Sequence, residues 1–200
     1  EGVYFHTWLA DAIVREEVEG GAEAFPEAGD ATVMRRVNAE QAVLDGVEVG
    51  FATGALYGMS LFGDVAWIES EVTRVDGTTE PGRRTPPVQG RAGVRWSGTP
   101  YLARLALGVR WAAAQTRLSS GDRKDLRICE DPTQPGVSLG DACDGTPGWA
   151  ALDLKAGISL HPGFRIEASV NNLLDTPIRH HGSCFDEPGV DVRFALSQTF

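Results

Sequence analysis

The chain has 200 residues, of which 18 are Lys or Arg and 28 are Asp or Glu, giving a formal net charge of -10 at pH 7. This balance argues against nucleic acid as a partner, because phosphate binding requires clustered cations. The longest uncharged stretch, Val49–Gly63, is too short for a membrane-spanning helix. A transmembrane barrel is not excluded, because alternating strands leave the mean hydropathy, here -0.16, close to that of a soluble protein.

Apolar and polar residues alternate with a period of two in most of the chain, which is typical of strands with two different faces. The first segment is apolar on both faces and is predicted as a strand from its aromatic and β-branched residues. Phe62 and Ile68 interrupt the alternation of the third segment. The predicted strands are Val3–Val14, Val47–Phe51, Met59–Ser70, Ala92–Trp96, Tyr101–Trp111, Leu152–His161, Phe164–Asn171 and Val190–Thr199.

Short and long connections alternate between these eight segments. Tight turns are predicted near residues 54–58, 97–100 and 161–163, and long loops at about 16–32, 73–84, 118–148 and 173–189. Outer-membrane barrels show this alternation, with short turns on the periplasmic side and long loops outside. The sequence therefore predicts an all-β, antiparallel up-and-down transmembrane barrel segment with both chain ends on the periplasmic side.

The two faces of the predicted strands support this interpretation. Gly, Ala, Arg and Asp dominate the polar face, as expected for the lining of a lumen. On the apolar face, Tyr57 and Trp67 are ten residues apart, and so are Tyr101 and Trp111. Ten residues rise roughly 33 Å, or roughly 25 Å along the membrane normal when tilted, which matches the apolar band between two aromatic girdles. A β-sandwich with these aromatic residues in its core is the alternative.

Several sequence runs resemble those of a known family. They include Gly145–Trp149 (GTPGW), Asn171–Asp175 (NNLLD) and Arg179–Ser183 (RHHGS), followed by Pro188–Gly189 and Phe200. Together with runs at residues 4–15, 37–49 and 86–96, they resemble the C-terminal barrel region of TonB-dependent outer-membrane receptors. The resemblance implies a 22-stranded barrel with an N-terminal plug domain, importing siderophores, cobalamin, metals or sugars with energy from TonB.

Within such a receptor, eight strands would form the last third of the barrel. We therefore expect residues 1–200 to be the C-terminal part of the barrel, without the plug domain. The chain begins at Glu1 and shows no signal peptide, which fits a fragment or a processed chain. The resemblance implies an outer-membrane location, contact with outer-membrane lipid, and plug and TonB partners through a part N-terminal to this segment. No cofactor, metal or enzymatic activity is expected.

The end of the chain resembles the signal that the barrel-assembly machinery reads in this family. That signal is a terminal aromatic residue preceded by alternating apolar residues. Gln198 departs from the pattern, because an aromatic or aliphatic residue is usual at its position. The residues that fit are Phe200, Leu196, Phe194 and Val192.

A basic patch is predicted on the inner wall. Its members come from two neighbouring strands and share the polar face: Arg91, Arg95, Arg104 and Arg110. In a pore, such a patch would guide anionic ligands. In the alternative interpretation the arginines pair with carboxylates, either Glu48 and Asp64 or those of the plug domain.

Three cysteines leave the redox compartment open. Cys129 and Cys143 bracket a stretch rich in Pro, Gly and Asp, which suits a loop disulfide in an oxidising compartment. The alternative is that these two residues and Cys184 are unrelated thiols.

Two other site hypotheses are weaker. His180, His181 and Cys184 have the chemistry of metal ligands but lack a recognised spacing, so a solvated loop is the simpler interpretation. Ser183 with His180 and an aspartate, Asp175 or Asp186, has the residue types of a hydrolytic triad without its G-x-S-x-G framework.

An acidic segment, Glu16–Asp30, is predicted as a solvated loop. Its carboxylates would alternatively attract cationic solutes or divalent ions that bridge lipopolysaccharide. They are Glu16, Glu17, Glu19, Glu23, Glu27 and Asp30.

Two other kinds of protein would explain the strand pattern. One is a self-standing eight-stranded outer-membrane barrel with a structural or adhesive role. The other is a secreted β-sandwich binding module. A receptor segment predicts an open sheet with two unpaired edges, whereas the small barrel requires pairing between the first and last strands.

Overall fold

The computed structural model describes residues 1–18, 23, 25–28, 33–38, 41–98, 103–161 and 163–199. Within these ranges the strands are β1 Gly2–Ala10, β2 Ile13–Glu17, β3 Met34–Asn38, β4 Gln41–Ala52, β5 Met59–Thr73, β6 Thr79–Pro81, β7 Gln89–Gly98, β8 Ala103–Ala112, β9 Trp149–His161, β10 Phe164–Asn171 and β11 Asp191–Gln198. Two single-turn helices, α1 Ser120–Arg123 and α2 Leu126–Cys129, lie between β8 and β9. No helix in the described ranges is long and apolar enough to cross a membrane.

Eight of the strands form one antiparallel sheet, in the order β1-β4-β5-β7-β8-β9-β10-β11, with β6 paired to the end of β5. Each of the eight pairs with its nearest neighbours along the chain, which confirms the up-and-down segment. Among the described residues, β1 pairs only with β4 and β11 only with β10. The sheet is therefore open, which contradicts the self-standing eight-stranded barrel.

The apolar face of the sheet is not covered by a second layer. Its large side chains stay accessible, with exposed fractions of 53% for Leu61, 39% for Trp67 and 78% for Phe194. A β-sandwich would bury these side chains between two sheets, so the alternative of a sandwich is wrong. A continuous apolar surface of this kind is stable against hydrocarbon rather than against water.

Phe62, one of the two residues that interrupt the alternation of β5, has a packing role. Phe62 lies on the polar face, directly opposite Gly93 of β7. A Cβ atom at Gly93 would lie 2.6 Å from the Phe62 ring and 2.4 Å from the Leu107 carbonyl oxygen. The Arg95 guanidinium lies over the face of this ring, 4.0 Å from its centroid. The aromatic ring thus fills the space that glycine leaves on the wall.

The first predicted strand, Val3–Val14, is wrong as a single element. The chain leaves the sheet after Ala10, where Asp11 adopts a φ of 54°. It continues as a separate hairpin, in which Ile13 pairs with Asn38 and Glu17 with Met34. The first long connection is therefore partly a two-stranded ribbon, and Glu16 and Glu17 belong to it.

The expected girdle residue Tyr57 lies in the β4–β5 turn, with a φ of 51° and an exposed fraction of 92%. The expectation that Tyr57 lies on the apolar face of the sheet is wrong. Trp67 and Trp111 lie on that face, and Tyr101 falls outside the described residues. Trp96, opposite Met59, lies on the apolar face near the short turns.

The connections fall on two sides of the sheet. The long ones join β1 to β4, β5 to β7, β8 to β9 and β10 to β11, and the short ones lie at the opposite end. Glu1 exchanges backbone hydrogen bonds with Gly50, close to the β4–β5 turn. Gln198 pairs with Phe164, next to the β9–β10 turn. Both ends of the described chain therefore lie on the side of the short turns.

The β8–β9 connection, residues 113–148, has a small core of its own. Cys129 and Cys143 form a disulfide, and their Cα atoms lie 5.4 Å apart. Leu118 and Ile128 pack against it. Helix α1 begins with a capping box, in which Ser119 and Asp122 hydrogen-bond each other's backbone. Cys184, in the β10–β11 connection, is a free and exposed thiol.

The Phe62–Gly93 packing gives a test of the wall. We expect Gly93→Ala in the full-length protein to lower the free energy of unfolding by about 1–3 kcal/mol, because its Cβ overlaps both a ring and a backbone oxygen. The matched control is Gly54→Ala, whose Cβ would meet nothing within 4 Å. The measurement is the temperature at which the folded, faster-migrating band is lost on a denaturing gel. Equal shifts for the two variants would contradict this packing.

Candidate functional site

The four predicted arginines share the polar face of β7 and β8, but they divide into two pairs. Arg91 and Arg110 lie opposite each other and are both bound to carboxylates. The Arg91 Nε atom donates to Asp64 at 2.5 Å, and the Arg110 Nε atom donates to Asp153 at 2.6 Å. Arg110 also reaches Glu187 at 3.4 Å. The part of the patch toward the long loops is therefore neutralised.

Arg95 and Arg104 differ from that pair. Arg95 lies on the Phe62 ring, and Arg104 lies opposite Ser97 and Gly157. Within the described residues neither forms an ion pair, and neither does Lys155 on β9. These three cations border a hollow of about 540 Å³ on the inner wall. The sequence prediction missed Lys155, although the alternation of β9 places it on the polar face.

The motif runs meet where the long loops leave the sheet. The Thr146 hydroxyl and the His181 Nδ1 atom are 2.9 Å apart. Thr146 also pairs through its backbone with Gln115, whose side-chain amide donates to the Thr85 carbonyl at 2.7 Å. Gly145 has a φ of 93°, and a Cβ there would lie 1.9 Å from the Gln115 carbonyl oxygen. The GTPGW run thus ties three connections together.

The NNLLD run, which follows β10, is bound to Asp153 of the neighbouring strand β9. The buried Asn172 has a φ of 54°, and its backbone N–H donates to Asp153 at 3.0 Å. Its side chain forms two hydrogen bonds with the backbone of Thr176. Asp153 therefore binds both the wall arginine Arg110 and the start of the last long loop.

Contacts of His180 and Glu187 hold the β10–β11 connection at two further points. The His180 Nε2 atom lies 2.6 Å from a Glu187 oxygen, and the ring packs edge-on against Trp149 with centroids 5.2 Å apart. The backbone of Glu187 donates to the carbonyl of the fully buried Ile178. We call the set Thr146, Asn172, His180, His181 and Glu187, with their partners, the loop junction.

A second ionic cluster joins the β5–β7 and β8–β9 connections. Asp125, with an exposed fraction of 7%, accepts hydrogen bonds from Arg83 at 2.9 Å, Arg84 at 2.8 Å and Arg127 at 2.6 Å. The fully buried Asp122 accepts from the backbone N–H of Arg84. The sequence prediction missed this cluster, because Arg83 and Arg84 lie 42 and 41 residues before Asp125 and no local pattern joins the two segments. The only local signal is the Ser119-x-x-Asp122 spacing of a capping box.

Two groups of the loop junction have shifted pKa values. Burial lowers the pKa of His181, and the nearby Asp122 and Asp125 oppose this effect only in part. Burial acts to raise the pKa of Glu187, but hydrogen bonds from His180 and Arg110 outweigh it and leave the pKa lowered. At neutral pH the junction therefore holds a neutral histidine and an ionised glutamate.

The other candidate residues do not assemble into one site. Ser183 bonds to the backbone of Phe185, whereas His180 binds Glu187. No group of three or more His, Cys, Asp or Glu able to hold a metal ion occurs within the described ranges. In the acidic segment, Glu27 lies in a 3-10 turn, and Glu19 and Asp30 fall outside those ranges.

Three of the proposed assembly-signal residues lie on the apolar face of the edge strand β11. Their exposed fractions are 53% for Val192, 78% for Phe194 and 71% for Leu196. Phe200 falls outside the described residues. Their role in assembly stays a prediction.

The loop junction is predicted to weaken as the pH falls. A released His181 takes up a proton near its ordinary pKa of about 6.5, whereas the docked residue resists protonation, so docking loses stability below that pH. The stabilisation by ionised Glu187 is lost only at still lower pH, because its lowered pKa keeps it ionised. Between about pH 7.5 and about pH 5.5 we expect amide exchange in residues 172–190 to accelerate several-fold beyond its intrinsic change. His181→Gln should abolish the excess, and an excess that persists in this variant would contradict the assignment.

Comparison with known proteins agrees with the fold. The family model described as "TonB dependent receptor-like, beta-barrel" matches residues 2–173. A search of curated protein sequences gave no match. Similar solved structures include the copper transporter OprC, with a TM-score of 0.74 and 16% identity, and the FrpB iron transporter from Neisseria meningitidis, with a TM-score of 0.68 and 17% identity. A mutant of the ferric enterobactin receptor PfeA from Pseudomonas aeruginosa has a TM-score of 0.63 and 18% identity.

Each of these structures covers 100% of this chain, whereas the chain covers 28% of each of them. At such low identity the likeness shows the fold alone. The family match, by contrast, extends over most of the sequence, including the GTPGW run and the start of the NNLLD run. The chain belongs to the family of TonB-dependent receptor-like β-barrels.

Proposed function

We propose that this chain is the C-terminal part of an outer-membrane receptor barrel that imports a scarce nutrient, such as a metal ion or a siderophore complex, with energy from TonB. The observation that carries the proposal is the open eight-stranded wall with one apolar and one polar face. The copper, iron and ferric enterobactin transporters contain a wall of the same form within a chain more than three times as long.

The partners follow from this assignment. The edges of β1 and β11 would pair with further strands of the same barrel, since an unpaired edge inside a membrane is unstable. The plug domain would fill the lumen against the polar face, and TonB would act on the plug. The chain would work as a transporter rather than as an enzyme.

The orientation also follows. The short turns and both ends of the described chain would lie on the periplasmic side, and the disulfide-bonded β8–β9 connection would lie outside the cell. Val192, Phe194 and Leu196 would face outer-membrane lipid, and together with Phe200 they would be the signal that the barrel-assembly machinery recognises during insertion.

The transport role can be tested in cells. The full-length protein is expressed in a Gram-negative host that lacks its own iron and copper receptors, with and without a functional TonB. We expect accumulation of labelled iron complexes or of copper that requires both the protein and TonB. Accumulation that is independent of TonB, or none with any metal complex of the panel, would contradict the proposed function.

The membrane orientation of the wall has its own test, based on two adjacent residues of β8. Leu107 lies on the apolar face between Val94 and Leu154, whereas Ala106 lies on the polar face. Leu107→Arg should cost about 2–4 kcal/mol if this position faces the bilayer, because the guanidinium loses its hydration there. Ala106→Glu should be tolerated in a hydrated lumen, because Arg95 and Lys155 lie on either side of this position. The readout is the amount of folded protein in the outer membrane, and equal losses would argue against the assignment of the faces.

A further inference from the structure

We propose that the transported solute is anionic and crosses the lumen along a row of cations on this wall. The inference rests on the proposed transport function and adds to it a charge class and a path. It comes from the strand register, which brings together cations that are far apart in sequence.

The row follows the register across six strands. Each member lies directly opposite the next, so the row is continuous on the polar face. Cations alternate with small residues, and successive cations are two strands, or roughly 10 Å, apart. The members are Ser60, Arg95, Ala106, Lys155, Ser169 and Arg193.

The row runs from the long loops toward the short turns. Arg193 is the third residue of β11, close to the end of the strand that carries the long loops. Lys155 lies in the middle of β9. Arg95 is three positions before Gly98, where β7 ends beside the short turns. In a barrel with strands tilted by about 40° such a row is oblique to the barrel axis, so it advances along the direction of transport while it also runs around the wall.

The charges that face the row leave it positive. Lys155 forms no ion pair within the described residues, and nor does Arg104 in the neighbouring register row. Arg193 contacts Asp191 at 2.6 Å, while its side chain is still 73% exposed. The remaining carboxylate, Glu167, lies 3.5 Å from Arg165, so its charge is shared with another cation.

Neighbouring cations on the same wall are neutralised. Arg91 and Arg110 each contact a carboxylate of the adjacent strand at 2.5 to 2.6 Å. The wall therefore contains both paired and unpaired cations. Arg95, Arg104 and Lys155 border the hollow without an ion pair, and Arg193 borders it beside Asp191. Serine and alanine between them leave room for a solute. Spaced sites of moderate strength allow an anion to bind and to leave again.

The test measures the electrostatic potential at the row in the full-length receptor with its plug. Ser169→Cys places a thiol between Lys155 and Arg193, in a background with Cys184→Ser that removes the exposed native thiol. Cells are treated with a sulfonate-bearing or a trimethylammonium-bearing methanethiosulfonate, and the rates of modification are compared. The rate with the anionic reagent is divided by the rate with the cationic reagent, and this ratio is divided by the same ratio for a free thiol in solution.

We expect a normalised ratio of about ten or more. Lys155→Gln should lower it roughly fivefold, because a unit charge at about 7 Å in salt-containing water speeds the anionic reagent and slows the cationic one, each about twofold. Arg91→Gln, which removes a paired cation of the same wall, should leave the ratio unchanged. A ratio near one, a ratio insensitive to Lys155→Gln, or a thiol that neither reagent reaches would overturn the proposal and would indicate that plug carboxylates cover the row. TonB-dependent uptake that persists alongside such a result would leave the proposed function intact.

Discussion

The backbone hydrogen-bond register of the sheet is the constraint on which the other features depend. Because side chains alternate strictly along each strand, one continuous register assigns each strand residue to one of two faces. The register runs from β1 to β11 with a single shift, between Phe164 and Arg165, among the described pairs. It produces an apolar surface suited to lipid on one side and a polar wall on the other. A slip of one residue in β7 or β8 would move the arginines of that strand to the apolar face.

The same register explains how the wall and the loops are joined. Asp153 lies on the polar face at the level where the long connections begin, so it binds both Arg110 of the neighbouring strand and the backbone of Asn172. The GTPGW run precedes β9, the NNLLD and RHHGS runs follow β10, and they meet here. Through Gln115, which also contacts Thr85, they join three connections to the wall.

The alternation of apolar and polar residues was enough to predict the strands of the sheet and their two faces. Alternation over Tyr101–Trp111, Leu152–His161 and Phe164–Asn171 gave strands whose faces agree with the observed register. The prediction failed where local propensity did not decide the structure. Asp11 breaks the first segment, and no periodicity distinguishes its apolar residues before and after the break.

Contacts between distant residues were not predictable. Asp125 is surrounded by Arg83 and Arg84, 42 and 41 residues earlier in the chain, and nothing in either segment encodes the other. Arg91 and Arg110 look identical to Arg95 and Arg104 in the sequence. Their environments differ because different residues lie opposite them on the neighbouring strands. Those neighbours can be named only when the register is known.

The β8–β9 connection leaves and re-enters the sheet at Ala112 and Trp149, which are directly paired. It has its own disulfide core, and its two ends are held next to each other by the pairing of β8 with β9. A change of sequence between Gln115 and Thr146, which pair through their backbones, would therefore leave the strand ends in place. The contacts of Asp125 with Arg83 and Arg84 limit such changes. A replacement that removes Asp125 would leave these two arginines of the β5–β7 connection without their carboxylate, so the two connections must change together.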